Sequence, residues 1–148
     1  MLLMVKILFL CTGNSCRSQM AEGLARHLKR GVLDPYSAGV MKGGLDPLAV
    51  KAMREIGIDI SGQQSKKVTE LTHIPFDAVV TVCDNAREAC PIFPGKTRQI
   101  HMGFEDPPLL AKSAKSEEEA MNAYRRVRDQ IKDFILTLPE SLNLKEEK

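Results

Sequence analysis

Short apolar runs alternate with longer amphipathic segments along this chain, and that alternation limits the folds open to it. Residues 5–10, VKILFL, and residues 76–83, FDAVVTVC, are rich in strand-forming side chains. The second run is apolar enough to be a strand buried on both faces. The other predicted elements are a strand at 32–39 that is broken or bulged at Pro35, a strand at 97–102, and helices at 18–30, 46–58 and 116–138.

Strands that alternate with helices indicate an α/β domain, because a mainly parallel sheet is covered by its helical connections. We predict one domain over residues 1–148, folded as a three-layer sandwich with a central four-stranded parallel sheet in the order 2-1-3-4. In that order the chain reverses direction across the sheet between strands 1 and 3, and ligands bind at such a switch point. Cys11 and Cys83 end these two strands, so we expect their sulfurs to lie within reach of each other.

Composition excludes several classes of function. A net charge of +2 spread along the chain, with two Tyr and no Trp, does not favour a nucleic-acid surface. Lys6 interrupts the apolar start and no small-residue cleavage site follows, so neither a signal peptide nor a membrane span is predicted. Four cysteines without an export signal indicate a reducing, cytoplasmic location, where thiols are more often catalytic or redox-active than structural. Nothing marks an oligomer, so we expect a monomer.

The segment CTGNSCRS, residues 11–18, places Cys11 and Arg17 at the ends of a C-x5-R loop between a strand and a helix. Such a loop can aim several backbone N–H groups at one point, and Arg17 adds a fixed fork for two oxygens of a tetrahedral anion. The electropositive loop favours the thiolate form of Cys11, to which Ser18 could donate a hydrogen bond. The predicted oxyanion-binding residues are Thr12, Gly13, Asn14, Ser15, Cys16 and Arg17, of which Gly13 and Asn14 best tolerate a positive φ.

The alternative interpretation is that Cys11 is an inert buried thiol and Arg17 a solvated residue at the start of a helix. An arginine in the first turn opposes the helix dipole, however, and a bound anion would explain its presence. The functional interpretation is therefore favoured.

LFLCTGNSCRSQMAEG resembles the active-site loop of the low-molecular-weight protein tyrosine phosphatase superfamily. EDPP, residues 105–108, looks like the late Asp-Pro of that family. The resemblance implies that Cys11 is the nucleophile, Arg17 the oxyanion clamp and Asp106 the general acid. Without the resemblance, a Glu-Asp-Pro-Pro segment is ordinarily a rigid turn.

Cys83 and Cys90 are two further thiols in VCDNAREACP. If the segment between them is helical, their Cα atoms lie about 10.5 Å apart. A disulfide requires roughly 4.4–6.8 Å, so a bridge would need that helix to loop out, which suits a redox switch better than a static staple. Two apolar core residues, or half of a zinc site, are the alternatives, but C-x4-C and C-x6-C are poor zinc spacings. Cys16 is expected to pack, with Cys11–Cys16 oxidation as an off-pathway event.

With these cysteines the chain resembles the thioredoxin-coupled arsenate reductases, through CTGNSCRSQMAEG, YSAG, VVTVCDNAREACP and GFEDP. The resemblance implies a relay in which Cys11 attacks arsenate, Cys83 attacks Cys11, and Cys90 attacks Cys83. Thioredoxin would reduce the final disulfide, phosphate and sulfate would compete as oxyanions, and no cofactor would be bound. The alternatives are a tyrosine phosphatase that forms a phosphocysteine at Cys11, and a phosphate-binding or redox-sensing module. EDPP lacks the aromatic residue that helps frame a phosphotyrosine, although weak activity on small aryl phosphates is expected.

Some of these reductases carry a monovalent-cation site beside the loop, and Asn14, Glu22 and Ser37 match its ligands. Lys66 stands where the family often has an aspartate, which argues against potassium. The corresponding hypothesis is that the Lys66 ammonium takes the place of the cation and stabilises Glu22.

Overall fold

The computed structural model describes residues 4–83, 90, 93 and 96–144. The strands are β1 (Val5–Cys11), β2 (Leu33–Gly39), β3 (Ala78–Thr81) and β4 (Arg98–His101). The helices are α1 (Arg17–Leu28), α2 (Pro47–Arg54), α3 (Pro107–Ala111) and α4 (Glu117–Leu136), with 3-10 turns at Val68–Glu70 and Glu140–Leu142. The predicted helical segment between Cys83 and Cys90 lies outside the described residues.

All four strands are parallel and lie in the order β2-β1-β3-β4, so the predicted α/β class and strand order are confirmed. Five consecutive residues at the end of β1, Ile7–Cys11, are buried, which shows that both faces of this central strand are covered. The register places Cys11 opposite Gly39 of β2 and Leu10 opposite Thr81 of β3. The carboxyl ends of these three strands therefore form one edge of the sheet.

Two predicted helix starts are confirmed by their caps. Asp46 precedes α2, and its Oδ1 accepts a hydrogen bond from the Leu48 N–H at 2.9 Å. Ser116 precedes α4, and its Oγ accepts from the Glu119 N–H at 3.1 Å. Gly57, with φ of 81°, closes the turn that follows α2.

The predicted break of strand 2 at Pro35 is wrong, because β2 runs without interruption and Pro35 lies opposite Ile7 in regular register. The order of the sheet makes β2 an edge strand, and an edge tolerates the missing proline N–H. β3 ends at Thr81, two residues before Cys83. Among the helices of the described residues, none is long and apolar enough to cross a membrane.

Candidate active site

The loop between β1 and α1 is held in place by hydrogen bonds that its carbonyl groups accept from donors outside the loop. Each carbonyl oxygen of residues 11–16 accepts a hydrogen bond from a donor beyond the loop. The segment that follows β2 supplies most of these donors, because it runs alongside the loop. The pairs are Val40 N to Cys11 O (3.1 Å), Met41 N to Thr12 O (2.9 Å), Gly43 N to Gly13 O (2.7 Å), Gln19 Nε2 to Asn14 O (3.0 Å), Asp46 N to Ser15 O (3.0 Å) and Met20 N to Cys16 O (2.9 Å).

These outward carbonyls determine where the loop's N–H groups point. In a planar trans peptide, a C=O and the N–H of the next residue face opposite ways. The N–H groups of residues 12–17 are therefore turned away from the surrounding segment, toward the concave side of the loop. In the part of the chain that the structure describes, the N–H groups of residues 13–16 donate to no protein acceptor. Together with the free N–H groups at the start of α1, they form an anion-binding concavity.

Only one of the two residues expected to tolerate a positive φ adopts one. Asn14 has φ of 49°, whereas Gly13 is not among the described residues with positive φ.

Gly39 at the end of β2 is required because the loop lies close to its backbone. A Cβ on Gly39 would lie 2.4 Å from Met41 O and 2.7 Å from Asn14 N. The loop is therefore packed directly against the backbone of β2.

Cys11 is buried at the base of this concavity, with Sγ 2.9 Å from Ser18 Oγ. The fully buried Asn14 side chain sets the direction of that hydrogen bond. Asn14 Nδ2 donates to Ser18 Oγ at 2.9 Å, so the Ser18 hydroxyl accepts from Asn14 and keeps its own proton to donate to sulfur. The Ser18 hydroxyl is therefore oriented to donate to Cys11 Sγ, which is the contact that the sequence predicts for Ser18.

Arg17 begins α1 and Asp106 directly precedes α3, and their side chains approach each other at the site. Arg17 Nη1 donates to Phe104 O at 2.9 Å, and its Nη2 lies 3.7 Å from Asp106 Oδ1. Asp106 is the residue before α3, and its side chain makes no capping hydrogen bond there. The Arg17 side chain is 13% exposed and the Asp106 side chain 38% exposed, so the guanidinium is anchored while the carboxyl group faces solvent. This position is suited to exchanging protons with a bound ligand.

Cys83 lies beside the same loop. Its Sγ is 3.1 Å from Oγ1 of Thr12, the residue that follows Cys11. Cys83 is buried and Cys90 is half-buried, and neither is part of a disulfide. Burial raises the pKa of the Cys90 thiol. The sequence predicts that the Cys11 and Cys83 sulfurs lie within reach of each other, and this contact places Cys83 beside the residue that follows Cys11.

Comparison with known proteins agrees with this geometry. Residues 6–148 match the family described as low molecular weight phosphotyrosine protein phosphatase. The chain belongs to this family. It is 47% identical over 135 residues to the arsenate reductase of Halalkalibacterium halodurans, which covers 91% of this chain and 95% of that protein. The arsenate reductase of Bacillus subtilis is 48% identical over 125 residues, 84% of this chain and 88% of that protein. A solved structure of an arsenate reductase in the oxidised state superposes with a TM-score of 0.77 and 31% identity, over 94% of this chain and 99% of that one.

Cys16 is the third thiol near the family's nucleophile loop, and it differs in chemistry from Cys11. It is the residue before α1, it is buried, and its side chain makes no capping hydrogen bond. Burial raises the pKa of the Cys16 thiol well above its ordinary value, and the Asp46 carboxylate adds to that effect. Cys16 is therefore a neutral thiol near pH 7, in keeping with its expected packing role.

The residues suggested by the family's cation site are joined by hydrogen bonds. Asn14 Nδ2 donates to Ser37 Oγ at 3.0 Å, and the Ser37 hydroxyl donates to Glu22 Oε1 at 2.5 Å. Lys66 enters through its backbone, because its N–H donates to Asn14 Oδ1 at 2.8 Å. These hydrogen bonds take up the Asn14 oxygen and both sides of the Ser37 hydroxyl.

The hypothesis that the Lys66 ammonium stabilises Glu22 is wrong. Lys66 Nζ donates to Gln64 O at 2.9 Å, and the cation beside Glu22 is Arg26, with Nη1 2.8 Å from Glu22 Oε2. The Arg26 guanidinium therefore already supplies a positive charge beside Glu22. The i, i+4 spacing of Glu22 and Arg26 on α1 was the signal in the sequence that could have revealed the pair.

Two further positioning contacts were not predicted. Tyr124 of α4 donates its hydroxyl to Asp46 Oδ2 at 2.7 Å, and Asp46 in turn holds Ser15 O through its N–H. Burial and this hydrogen bond raise the pKa of the Tyr124 phenol. The second contact is the hydrogen bond that the Gln19 amide donates to Asn14 O.

Across the described ranges, no cluster of three His, Cys, Asp or Glu side chains could hold a metal ion.

Proposed function

We propose that this member of the family is an arsenate reductase that works as a three-thiol relay. The observation that supports it best is the contact between Cys83 Sγ and Thr12 Oγ1, at 3.1 Å, which brings a second thiol to the nucleophile loop. Hydrolysis through a phosphocysteine needs one nucleophilic cysteine, whereas a disulfide relay needs a second thiol within reach of the first. The arsenate reductases that share 47–48% identity with this chain support the same assignment.

Arsenate would bind in the concavity lined by the N–H groups of residues 13–16 and by the start of α1. Arg17 would contribute its remaining N–H groups, while its contact with Phe104 O keeps the guanidinium in place. Backbone donors recognise charge and tetrahedral shape, so phosphate and sulfate are expected to compete.

In the first step, the Cys11 thiolate attacks arsenic and forms a sulfur–arsenic(V) bond. Asp106, which lies 3.7 Å from Arg17 Nη2, gives a proton to the departing oxygen, which leaves as water. The Ser18 hydroxyl stabilises the thiolate before the attack through its 2.9 Å contact with Sγ.

In the second step, the Cys83 thiolate attacks Cys11 Sγ. A Cys11–Cys83 disulfide forms as the sulfur–arsenic bond breaks. The electron pair of that bond stays with arsenic, which is reduced from arsenic(V) to arsenic(III) and leaves as arsenite. In the third step, the Cys90 thiolate attacks Cys83 Sγ, which forms the Cys83–Cys90 disulfide and releases Cys11. The dithiol of thioredoxin reduces this disulfide and is itself oxidised.

Thioredoxin is proposed as an external reductant, and the relay uses no bound cofactor. The ion pair of Arg26 with Glu22 supports independence from potassium. The four thiols of the reduced enzyme suit a reducing cytoplasm, and we propose that the protein acts there as a monomer.

A phosphatase activity is the second candidate, because the loop, Cys11 and Asp106 also suit hydrolysis through a phosphocysteine. The family description supports it. We expect this activity to be weak and limited to small aryl phosphates.

The deciding measurement is arsenate-dependent oxidation of NADPH in the presence of thioredoxin and thioredoxin reductase. We expect turnover by the wild type, and loss of turnover by Cys90→Ser because the relay stops at a Cys11–Cys83 disulfide, detectable by mass spectrometry. Ser113→Ala is the control, because it alters an exposed side chain outside both the loop and the relay, and it should turn over as wild type does. A wild type that consumes no NADPH with arsenate yet hydrolyses phosphotyrosine peptides rapidly would establish the phosphatase instead.

A further inference from the structure

Gln19 is a fully buried amide on α1, next to Ser18. Its Nε2 donates to Asn14 O at 3.0 Å and to Gln64 O at 3.1 Å. Its Oε1 accepts from Gln63 Nε2 at 2.7 Å. Every hydrogen-bonding atom of the amide is thus used, and the contact with Gln63 fixes which end of the amide faces the loop.

Asn14 O differs from the other loop carbonyls in how it is held. The carbonyl oxygens of residues 11, 12, 13, 15 and 16 each accept from a backbone N–H, whereas the donor to Asn14 O is the Gln19 side chain. This peptide also follows the one loop residue with a positive φ, Asn14 at 49°. That conformation is strained for a residue other than glycine, so the surrounding contacts must maintain it.

We infer that Gln19 is a positioning residue that sets the Asn14–Ser15 peptide so that the Ser15 N–H points at the bound oxyanion. Gln19 acts through this peptide and does not touch the ligand. The inference rests on the proposed function only in requiring that the loop binds a tetrahedral oxyanion.

The chemistry of residue 19 follows from this role. Methionine has nearly the length of glutamine but cannot donate to Asn14 O. An ionised glutamate would place a negative oxygen against that carbonyl, whereas a protonated glutamate regains one donor. Glutamine, methionine and glutamate therefore have similar size but differ in their ability to donate a hydrogen bond to Asn14 O.

The test is binding of inorganic phosphate and of sulfate by isothermal titration calorimetry. We expect Gln19→Met to bind both anions about 10- to 100-fold more weakly, the range for a misdirected hydrogen bond to a charged group. The loss in arsenate turnover should lie mainly in KM, with kcat less affected. Gln99→Met is the matched control, because it makes the same replacement at an exposed position of β4 that has no part in the Gln19 cluster, and it should bind phosphate within about threefold of wild type.

Gln19→Glu provides a pH readout that a purely structural role would not give. Sulfate keeps its charge from about pH 5 to 8, so a gain in sulfate affinity of the variant relative to wild type at low pH reports the protonated side chain donating to Asn14 O. If a folded Gln19→Met binds phosphate as wild type does, the inference is wrong. It is also wrong if neither anion binds to the wild type. Phosphate binding without arsenate reduction would remove the proposed function and leave the role of Gln19 standing.

Discussion

Ser18 shows how one buried contact sets the direction of the next hydrogen bond, here toward Cys11 Sγ. The sequence predicted its donation to Cys11, because Ser18 follows the loop arginine. It could not predict that Asn14, four residues earlier, fixes the direction by donating to Ser18 Oγ. Asn14 also adopts a positive φ, and the composition of the loop made such a conformation plausible without specifying which residue adopts it.

Ser18→Ala should lower the reactivity of Cys11, because the thiolate loses a donor at 2.9 Å from sulfur. We expect the rate of Cys11 alkylation by iodoacetamide near pH 7, followed by mass spectrometry, to fall about tenfold. Ser113→Ala, which alters an exposed serine bonded to Leu110 O, is the control and should react as wild type. An unchanged rate in Ser18→Ala would mean that the hydroxyl does not stabilise the thiolate.

Among the elements, those with strong local signals were predicted correctly. The capped starts of α2 and α4 follow from the sequence, because periodicity and caps are local. The order of the four strands agrees with the structure, but it was assumed from the α/β pattern and no local signal specifies it. α3, Pro107–Ala111, was taken for a rigid turn, since five residues are too few to show helical periodicity. Asp106 followed by Pro107 repeats the pattern of Asp46 and Pro47, and that pattern was the available signal.

The contact of β2 with the loop should make residue 39 intolerant of any side chain. A Cβ there would lie 2.4 to 2.8 Å from three backbone atoms, Met41 O, Asn14 N and Thr12 O, which cannot move aside singly. We expect Gly39→Ala to destabilise the fold by about 2 kcal/mol or more and to weaken phosphate binding, measured by urea unfolding and calorimetry. Gly62→Ala, whose Cβ would meet nothing within 4 Å, should do neither. Equal behaviour of the two variants would contradict the close packing.

At the scale of the whole molecule, distant segments are joined by side-chain pairs that no local pattern reveals. Tyr124 reaches Asp46 across 78 positions, and Arg125 reaches Glu55 across 70. Both contacts join α4 to the residues that flank α2. Asp46, one of these residues, also donates its N–H to Ser15 O in the loop. Charge spacing along a helix suggests a solvated face for α4, and only the tertiary fold shows which charges find partners.

The Arg125–Glu55 pair predicts a dependence of stability on pH. The hydrogen bond from Arg125 lowers the pKa of Glu55 from its ordinary value of 4.5. A lowered folded pKa stabilises the protein above that ordinary value, and the contribution is lost as the pH falls through the folded pKa. Arg125→Met should therefore lower the thermal midpoint at pH 7 by about 2–4 °C, measured by circular dichroism, with the difference from wild type shrinking below about pH 4.

The control for this pair is Arg126→Met, because the Arg126–Glu105 pair is more than half exposed on both sides. We expect its midpoint to stay close to that of wild type at both pH values. A constant difference for Arg125→Met down to the lowest pH would show that lost packing, and not the ion pair, accounts for the effect.

The outward carbonyls of the loop have a consequence for selectivity. A concavity of peptide N–H groups measures only charge and shape, so it cannot separate arsenate from the phosphate that is abundant in any cell. For the proposed reductase, discrimination is then kinetic and comes after binding. When Cys83 attacks Cys11 Sγ, an arsenyl group can leave as arsenic(III), whereas a phosphoryl group is not reduced in this way. Recognition would thus be performed by the backbone of the loop, and selection by the Cys83 thiol that lies beside it.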